Sequence, residues 1–528
     1  MIRAPFLAAT LLIATSTFAG GSVTAKKAAL STAHPLATKA GLAVLQKGGT
    51  AADAAVAVAF ALSVVHPQAG GLGGGGFLVY YDAQTRGVWT LDFRELSPRG
   101  VTRDAFAKPA AGAMSAGVPG TVAGLAALHE RFGRRTWKEL VEPSAAMARQ
   151  GFVADAELLT DIASARERKL NVLSEATLGK PLPQSELAAT LQKIAEDGPK
   201  AFYDGDLSKK FVEFVQDAGG LIGYRDLREY QPVWRAPIML RYGAYELYTV
   251  SPPSSGGVVM GETLNILAND DLAAAGFQTT KAVHLFAEAT RRASIDASRY
   301  VADPQTARIP YRDLLSHARA AQWRKTIDTT RAIATAGLTE PTELAPEGEH
   351  TTHFTIADAE GNVIALTMSL GDLFGSGFHV APLGFFLNSA MNDFTPGPGP
   401  NIVDPNKRAA SPLAPTIILR DHRPFLALGT RGGPAIPSTI LQVFLNMVVY
   451  RKPLAAAIAA PRYHQQDMPD QLLYERRLAP KAIVDALNAM GHGVGARDSI
   501  GDVHAILFEN GRLIAVADSR RGGAAGGY

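Results

Sequence analysis

Gly348-Glu349-His350-Thr351-Thr352-His353-Phe354-Thr355, two thirds of the way along the chain, sets adjacent threonines at the head of a strand-like run. No conventional base stands beside them in the sequence. A threonine hydroxyl needs a proton acceptor before it can attack, and a backbone amine freed by cutting the preceding peptide bond supplies one. An α-amino group titrates near ~7.7 to 8.0, so it can take a proton and return it at working pH. The same segment also reads more plainly, as the start of an edge strand rich in β-branched residues.

The residues after these threonines predict a hairpin. Thr351 to Ala357 alternates β-branched and apolar residues, Asp358-Ala359-Glu360-Gly361 reads as a turn, and Asn362 to Ser369 as the returning strand. With Ala359, Glu360 and Gly361 as a three-residue loop and the glycine left-handed, pairing is symmetric about residue 360. Ser369 then lies opposite Thr351, and a second hydroxyl sits beside the nascent amine.

The rest of the composition narrows the field. At 528 residues, with 47% hydrophobic and 19% charged residues, the chain can bury one large or two medium cores. Lys and Arg number 52 against 49 Asp and Glu, with no basic run, so neither nucleic acid nor an anionic membrane is expected as a partner. A small neutral or zwitterionic substrate fits better. Met1-Ile2-Arg3, the apolar run Ala4 to Ala14 and the small residues around Thr17-Phe18-Ala19-Gly20 have the layout of a secretory signal peptide, taken as residues 1–25, with cleavage expected between Ala19 and Lys26. That run and the stretch Ala54 to Val65 both fall short of the ~20 residues a membrane helix needs. Cysteine is absent, which removes disulfides, cysteine nucleophiles and thiolate metal sites. Export without disulfides suits a bacterial periplasm or exterior.

Helical spacing dominates the first half: Leu36 to Gln46, Ala51 to Val65 capped by Thr50, Gly120 to Phe132 and Trp137 to Gln150. One hairpin, Phe77 to Tyr81 with Val88 to Phe93, lies among them. Residues 151 to 235 read as helical and charged, Ile238 to Val250 as a strand pair, and Val258 to Leu267 and Lys281 to Tyr300 as long helices. After residue 351 strands return, at Thr416 to Leu419, Pro424 to Leu428, Gln471 to Tyr474, Ala505 to Phe508 and Arg512 to Val516, with helices at Pro434 to Tyr450, Pro453 to Ala459 and Pro480 to Met490. Strand pairs in both halves with helices between predict a mixed α+β layered domain of two sheets sandwiched by helices.

Several clusters could carry chemistry. Gly70 to Gly76 contains G-x-G-x-x-G, but it follows an apolar helix and precedes a strand, the reverse of a dinucleotide loop, so a turn or a close backbone approach is expected there. Gly429-Thr430-Arg431-Gly432-Gly433-Pro434 joins a strand to a helix, and its amides could converge as an oxyanion hole or form a tight turn only. Arg94 and Asp393 are candidates for gripping a zwitterion, since a guanidinium holds a carboxylate and a carboxylate an ammonium. His350 and His353 could suggest a metal pair, yet no third ligand stands at suitable spacing, so no metal and no cofactor is expected.

Taken together these segments resemble the γ-glutamyltransferase family of N-terminal-nucleophile hydrolases. The likeness runs over nearly the whole chain after the leader: His34-Pro35-Leu36-Ala37, Gly49 to Ala55, Gly70 to Phe77, Asp92-Phe93-Arg94-Glu95, Pro119 to Gly124, Thr351-Thr352-His353, Pro405 to Arg408, Gly432-Gly433, Ala460 to His464 and Gly526-Gly527-Tyr528. The resemblance implies a four-layer αββα sandwich, made as a precursor that cuts itself between His350 and Thr351. A large segment, 26–350, and a small one, 351–528, would stay associated. It further implies Thr351 as nucleophile and base, Ser369 as the hydroxyl supporting its amine, and Gly432 and Gly433 as oxyanion donors. Arg94 and Ser411 would bind the α-carboxylate, and Asp393 the α-amine, of a γ-glutamyl group such as that of glutathione. Departures lie in the substrate pocket: Gly371 and Ala390 replace an asparagine and a glutamine of glutathione-cleaving members, Pro412 replaces the second of two serines, and Thr395 to Asp404 is short for a lid. A cephalosporin-type or other amide acylase is therefore the alternative within enzymes, and an uncut, non-catalytic binding homologue the alternative outside them.

Overall fold

The computed structural model describes residues 21–106, 108–170, 172–339 and 350–528. The leader-like run up to Gly20, and Gly348-Glu349 before the threonines, lie outside the described residues. Two seven-stranded antiparallel sheets dominate. The first runs in the order Ala524–Gly527, Ala29–Thr32, His350–Ala357, Val363–Gly371, Gly75–Asp82, Gly87–Asp92, Val233–Arg235; the second runs Ser22–Ala25, Arg512–Ala517, Val503–Glu509, Arg423–Thr430, Thr416–Arg420, Tyr245–Thr249, Ile238–Tyr242.

The hairpin forms as its sequence dictates. Thr351 pairs with Ser369, His353 with Thr367 and Ala357 with Val363. Gly361 sits at φ 88°, a left-handed conformation that glycine adopts without a Cβ penalty. Asp358 organises the turn: its Oδ1 accepts from the N–H groups of Glu360 at 2.9 Å and Asn362 at 3.0 Å, and its Oδ2 from Asn362 Nδ2 at 2.9 Å. The same Oδ2 accepts from Ala51 N–H at 2.8 Å, so the turn also serves the first turn of the helix Ala51–Val65. That helix starts as expected, Thr50 and Asp53 exchanging side-chain bonds to each other's N–H at 3.1 and 2.9 Å.

Both faces of the hairpin are buried, which is why its strands carry so few charges. Successive residues point to opposite faces. Phe354, Ile356, Ile364 and Leu366 join one apolar core with Val56, Val58 and Phe60 of the all-buried helix. Ala357, Val363 and Ala365 join another with Ile417, Leu428 and Ile506 of the second sheet, a core that also takes in the helices Gly256–Ile266, Thr280–Tyr300 and Ile436–Val448. On this inter-sheet face His353 bonds Thr367 Oγ1 at 2.8 Å and Thr355 Oγ1 at 3.0 Å, and Thr355 donates to His504 O at 3.0 Å. Buried polar groups are thus paired across the two sheets.

Element by element, the helices at 35–46, 51–65, 121–132 and 137–150 and the strand pair at 238–249 fall where the periodicity puts them. Three strands are not legible in the sequence: Ser22–Ala25, Ala29–Thr32 and Ala524–Gly527 are four residues each, too short for a period to register, and exist because neighbours pair with them. Ala29–Thr32 lies between His350–Ala357 and Ala524–Gly527. Beyond it, Tyr528 O accepts from the N–H groups of Lys26, Lys27 and Ala28 at 3.1, 2.8 and 3.3 Å.

Asp358→Ala should lower the unfolding free energy by about 3 kcal/mol, because it strips acceptors from buried N–H groups of Ala51 and Asn362. Chemical denaturation of the two proteins measures it.

Candidate active site

Thr351 and Thr352 face opposite ways, and only the first reaches a pocket. Thr351 shares the inter-sheet face with Ser369, whereas the methyl of Thr352 lies against Gly70 on the helix side, 2.8 Å from where a Cβ on that glycine would sit. Between His350 and Thr351 the register shifts, so that His350 pairs with Gly371 and not with residue 370. Such an irregularity re-aims the peptide at which it occurs.

Ser369 connects the groups at this bond. Its Oγ lies 3.1 Å from Thr351 Oγ1, donates to His350 O at 3.2 Å, and accepts from Gly371 N–H at 2.9 Å. A hydroxyl has one proton and two lone pairs, so donating to His350 leaves it accepting from Gly371 and Thr351. The arrangement orients Thr351 Oγ1 while holding and polarising the neighbouring carbonyl.

The pocket is lined by Arg94, Thr351, Ser369, Gly371, Asp393 and the segment Ser411–Leu413. Arg94 follows the strand Gly87–Asp92, with its N–H held by Asp92 Oδ1 at 3.0 Å and its carbonyl by Tyr230 OH at 2.9 Å. Asp393 ends a short 3-10 turn, Ala390–Asp393, whose last carbonyl accepts from Asn401 Nδ2 at 2.8 Å. Ser411 is fixed through its backbone: its N–H donates to Pro253 O at 3.0 Å and its carbonyl accepts from Ser255 N–H at 2.7 Å. The sequence treats Arg94 and Asp393 as separate grips; in the folded chain they are ion-paired with each other, and Arg94 also bonds Glu95 Oε2 at 3.2 Å. Burial pushes the Asp393 carboxyl up to about 6 and that of Glu95 up to about 7, with Arg94 opposing both shifts.

Gly432 and Gly433 take positive φ, 124° and 53°, one residue after the strand Arg423–Thr430. They are outside the pocket lining. The expected helix start at Pro434 is replaced by a 3-10 turn, Gly433–Ala435, and the α-helix begins at Ile436. What the loop does touch is His350: Arg431 Nη2 lies 2.8 Å from His350 Nδ1. Nothing in the sequence singles out Arg431, or Glu157, its partner at 3.1 Å. No local pattern signals a contact made across 274 residues. A further group of ligand-type side chains, His284, Glu288 and His492, is buried well away in sequence. Within it His284 Nδ1 lies 2.9 Å from His492 Nε2 and Glu288 is ion-paired with Arg291 and Arg292, while His492 Nδ1 has no partner among the described residues.

The chain is similar to known proteins along almost its whole length. A sequence model of gamma-glutamyltranspeptidase matches residues 37–528. The glutathione hydrolase proenzyme of Escherichia coli strain K12 is 36% identical, the match covering 94% of this chain and 91% of the relative. The Acylase ACY 1 proenzyme of Pseudomonas sp. strain SE83 is 34% identical over 93% of this chain and 92% of its own length. In three dimensions the crystal structure of cephalosporin acylase from Bacillus halodurans superimposes with a TM-score of 0.86 at 26% identity, covering 99% of both chains. Among the described residues no helix is long and apolar enough to cross a membrane. With Thr351, Ser369, Arg94 and Asp393 gathered in one pocket and these relatives matching from end to end, the chain belongs to the gamma-glutamyltranspeptidase family and is an enzyme of the gamma-glutamyltransferase or hydrolase type.

Proposed function

We propose that the protein is a self-processing γ-glutamyl amidase that cuts its own chain between His350 and Thr351 and then works through an acyl-ester on Thr351. The observation that carries this reading is the pocket, which brings Arg94, Thr351, Ser369, Asp393 and Ser411 together from four distant stretches of chain. Cleavage gives Thr351 a free amine beside its hydroxyl. That amine takes the hydroxyl proton as Thr351 Oγ1 attacks the amide carbon, and returns it to the leaving nitrogen. Ser369 supports the pair, and Gly432 and Gly433 donate to the oxyanion once the His350 end has moved aside. The fold we assign is the four-layer αββα sandwich, supported by the two sheets sharing one apolar core with helices packed against each.

Arg94 and Asp393 already form an ion pair, so a zwitterion can enter by exchange. The α-carboxylate goes to Arg94, helped by Ser411, and the α-ammonium to Asp393; neither buried charge is left alone. A glutaryl group lacks the ammonium, and this favours γ-glutamyl donors over the cephalosporin-type acylase reading. The second reading has support from the full-length likeness to cephalosporin acylase and from Gly371, Ala390 and Pro412. An asparagine at 371 would have its Cβ 2.4 Å from Ser389 Oγ, at a φ of 87°. We also propose export by a leader and a periplasmic or secreted location; within the expected window, pairing of Ser22–Ala25 with Arg512–Ala517 supports a cut before Ser22.

Intact-mass measurement of purified protein should find two fragments, one starting at Thr351, while Thr351→Ala stays whole and inactive. A whole wild-type chain without amidase activity would leave the binding homologue standing instead. For a γ-glutamyl anilide, kcat/KM should fall about tenfold per unit below the range of the Thr351 amine, and by about a further tenfold per unit below about pH 6, since Asp393 must be ionised to hold an ammonium and its raised carboxyl takes up a proton there. A glutaryl amide should turn over more slowly and lack the added limb below about pH 6; faster turnover of the glutaryl substrate would select the acylase reading. Gly371→Asn should cost about 1–3 kcal/mol in a denaturation experiment, and Ser389→Ala should recover part of it by clearing the hydroxyl.

A further inference from the structure

His350, the residue before the scissile bond, is held at two points. Its carbonyl oxygen accepts from Ser369 Oγ at 3.2 Å and its ring nitrogen Nδ1 lies 2.8 Å from Arg431 Nη2. A guanidinium only donates, so Nδ1 is the acceptor and the ring proton sits on Nε2. Burial pushes the imidazole down to about 2, with Arg431 adding to the shift, which keeps the ring in the neutral form that this bond requires.

Arg431 is itself fixed. It is 6% exposed, and Nη1 bonds Glu157 Oε1 at 3.1 Å. Glu157 stands in the first turn of the helix Ala156–Glu167, capped by Asp155 Oδ1 at 2.8 Å from Leu158 N, and its Oε2 accepts from Gly522 N–H at 3.1 Å. Arg521 Nη1 lies 3.6 Å from Glu157 Oε1. Two separate segments therefore hold one guanidinium against His350, the start of the helix Ala156–Glu167 directly and Arg521–Gly522 through Glu157. Fixing a residue at both its ring and its carbonyl sets the direction in which the carbonyl carbon faces, and here Thr351 Oγ1 is the neighbouring nucleophile, 3.1 Å from the same Ser369 Oγ.

We propose that Arg431, braced by Glu157, is a positioning residue for self-cleavage: by gripping the His350 ring it presents the His350 carbonyl to Thr351 Oγ1. This rests on the reading that the chain cuts before Thr351. In the step, Thr351 Oγ1 bonds to the His350 carbonyl carbon, the bond from that carbon to Thr351 N breaks, and the hydroxyl proton ends on the nitrogen. Water then hydrolyses the ester, giving a His350 carboxylate and restoring the Thr351 hydroxyl beside its new amine. Arg431 exchanges no proton and forms no bond.

The test tracks cleavage of full-length precursor by intact mass against time in wild type, Arg431→Met, Arg431→Lys, His350→Ala and the Arg431→Met/His350→Ala double variant. Loss of orientation should slow cleavage roughly 10- to 100-fold in Arg431→Met, with partial rescue by Arg431→Lys. His350→Ala should slow it comparably, and the double variant should be no slower than the slower single, because the two side chains act through one contact. Arg431→Met cutting at the wild-type rate, or slowing that simply adds in the double variant, overturns the inference and leaves self-cleavage intact. A wild-type chain that never cuts removes the underlying reading, a different outcome on the same gel-free assay. Melting of the uncut Thr351→Ala chain with and without Arg431→Met checks the fold; if it drops by more than a few degrees, His350→Ala alone decides, and its cutting at the wild-type rate overturns the proposal.

Discussion

Pairing of Thr351 with Ser369 is the constraint on which the rest of the site depends. Side chains on a strand alternate, so a slip of one residue would turn Thr351 toward the helix Ala51–Val65 and bring Thr352 to the pocket. The turn at Asp358 prevents the slip by several bonds at once, three within the turn and one to the helix N-terminus. Because the faces are buried against different partners, the apolar residues enforce the same answer: Phe354 and Ile356 cannot trade places with Ala357 and His353 without overfilling the space between the sheets. Register, and not any single side chain, brings Thr351 and Ser369 to one pocket.

The pocket is costly in a second way. Arg94, Glu95 and Asp393 are all buried, and charges taken from water are tolerated only when they compensate one another. Their pairing explains why the site can stand ready in a dry interior. Burial is what raises the two carboxyls toward neutrality, and the guanidinium beside them opposes that rise. A ligand able to offer both signs replaces one balanced arrangement with another, whereas a singly charged one leaves a residue uncompensated. On the proposed reading, selectivity for zwitterions would come from that balance of charge as much as from shape.

Much of this is legible in the chain and the remainder is not, for identifiable reasons. Gly361 after Asp358 and the alternation from Thr351 announce the hairpin and its register, since turn chemistry and side-chain period are local. Thr50 three residues before Asp53 announces the helix start in the same way. The meeting of Arg94 with Asp393, 299 residues apart, has no local signature; only family resemblance approaches it, and resemblance treats them as separate grips. Gly432 and Gly433 mark a loop correctly, but where that loop points depends on the 3-10 turn at Gly433–Ala435 and on Arg431, which in the sequence is one more residue of a glycine-rich turn. Short strands such as Ala29–Thr32 are defined by their neighbours and carry little pattern of their own.

That last strand has a wider meaning. Ala29–Thr32 belongs to the part of the chain before Thr351, yet it is stitched between two strands that come after it, His350–Ala357 on one side and Ala524–Gly527 on the other. A chain severed at His350 would be two polypeptides woven through one ladder, unable to drift apart without melting the sheet. Unfolding would then be a one-way passage: the intact precursor finds its weave as a single molecule, whereas two separated pieces must first meet, at a rate set by their concentration.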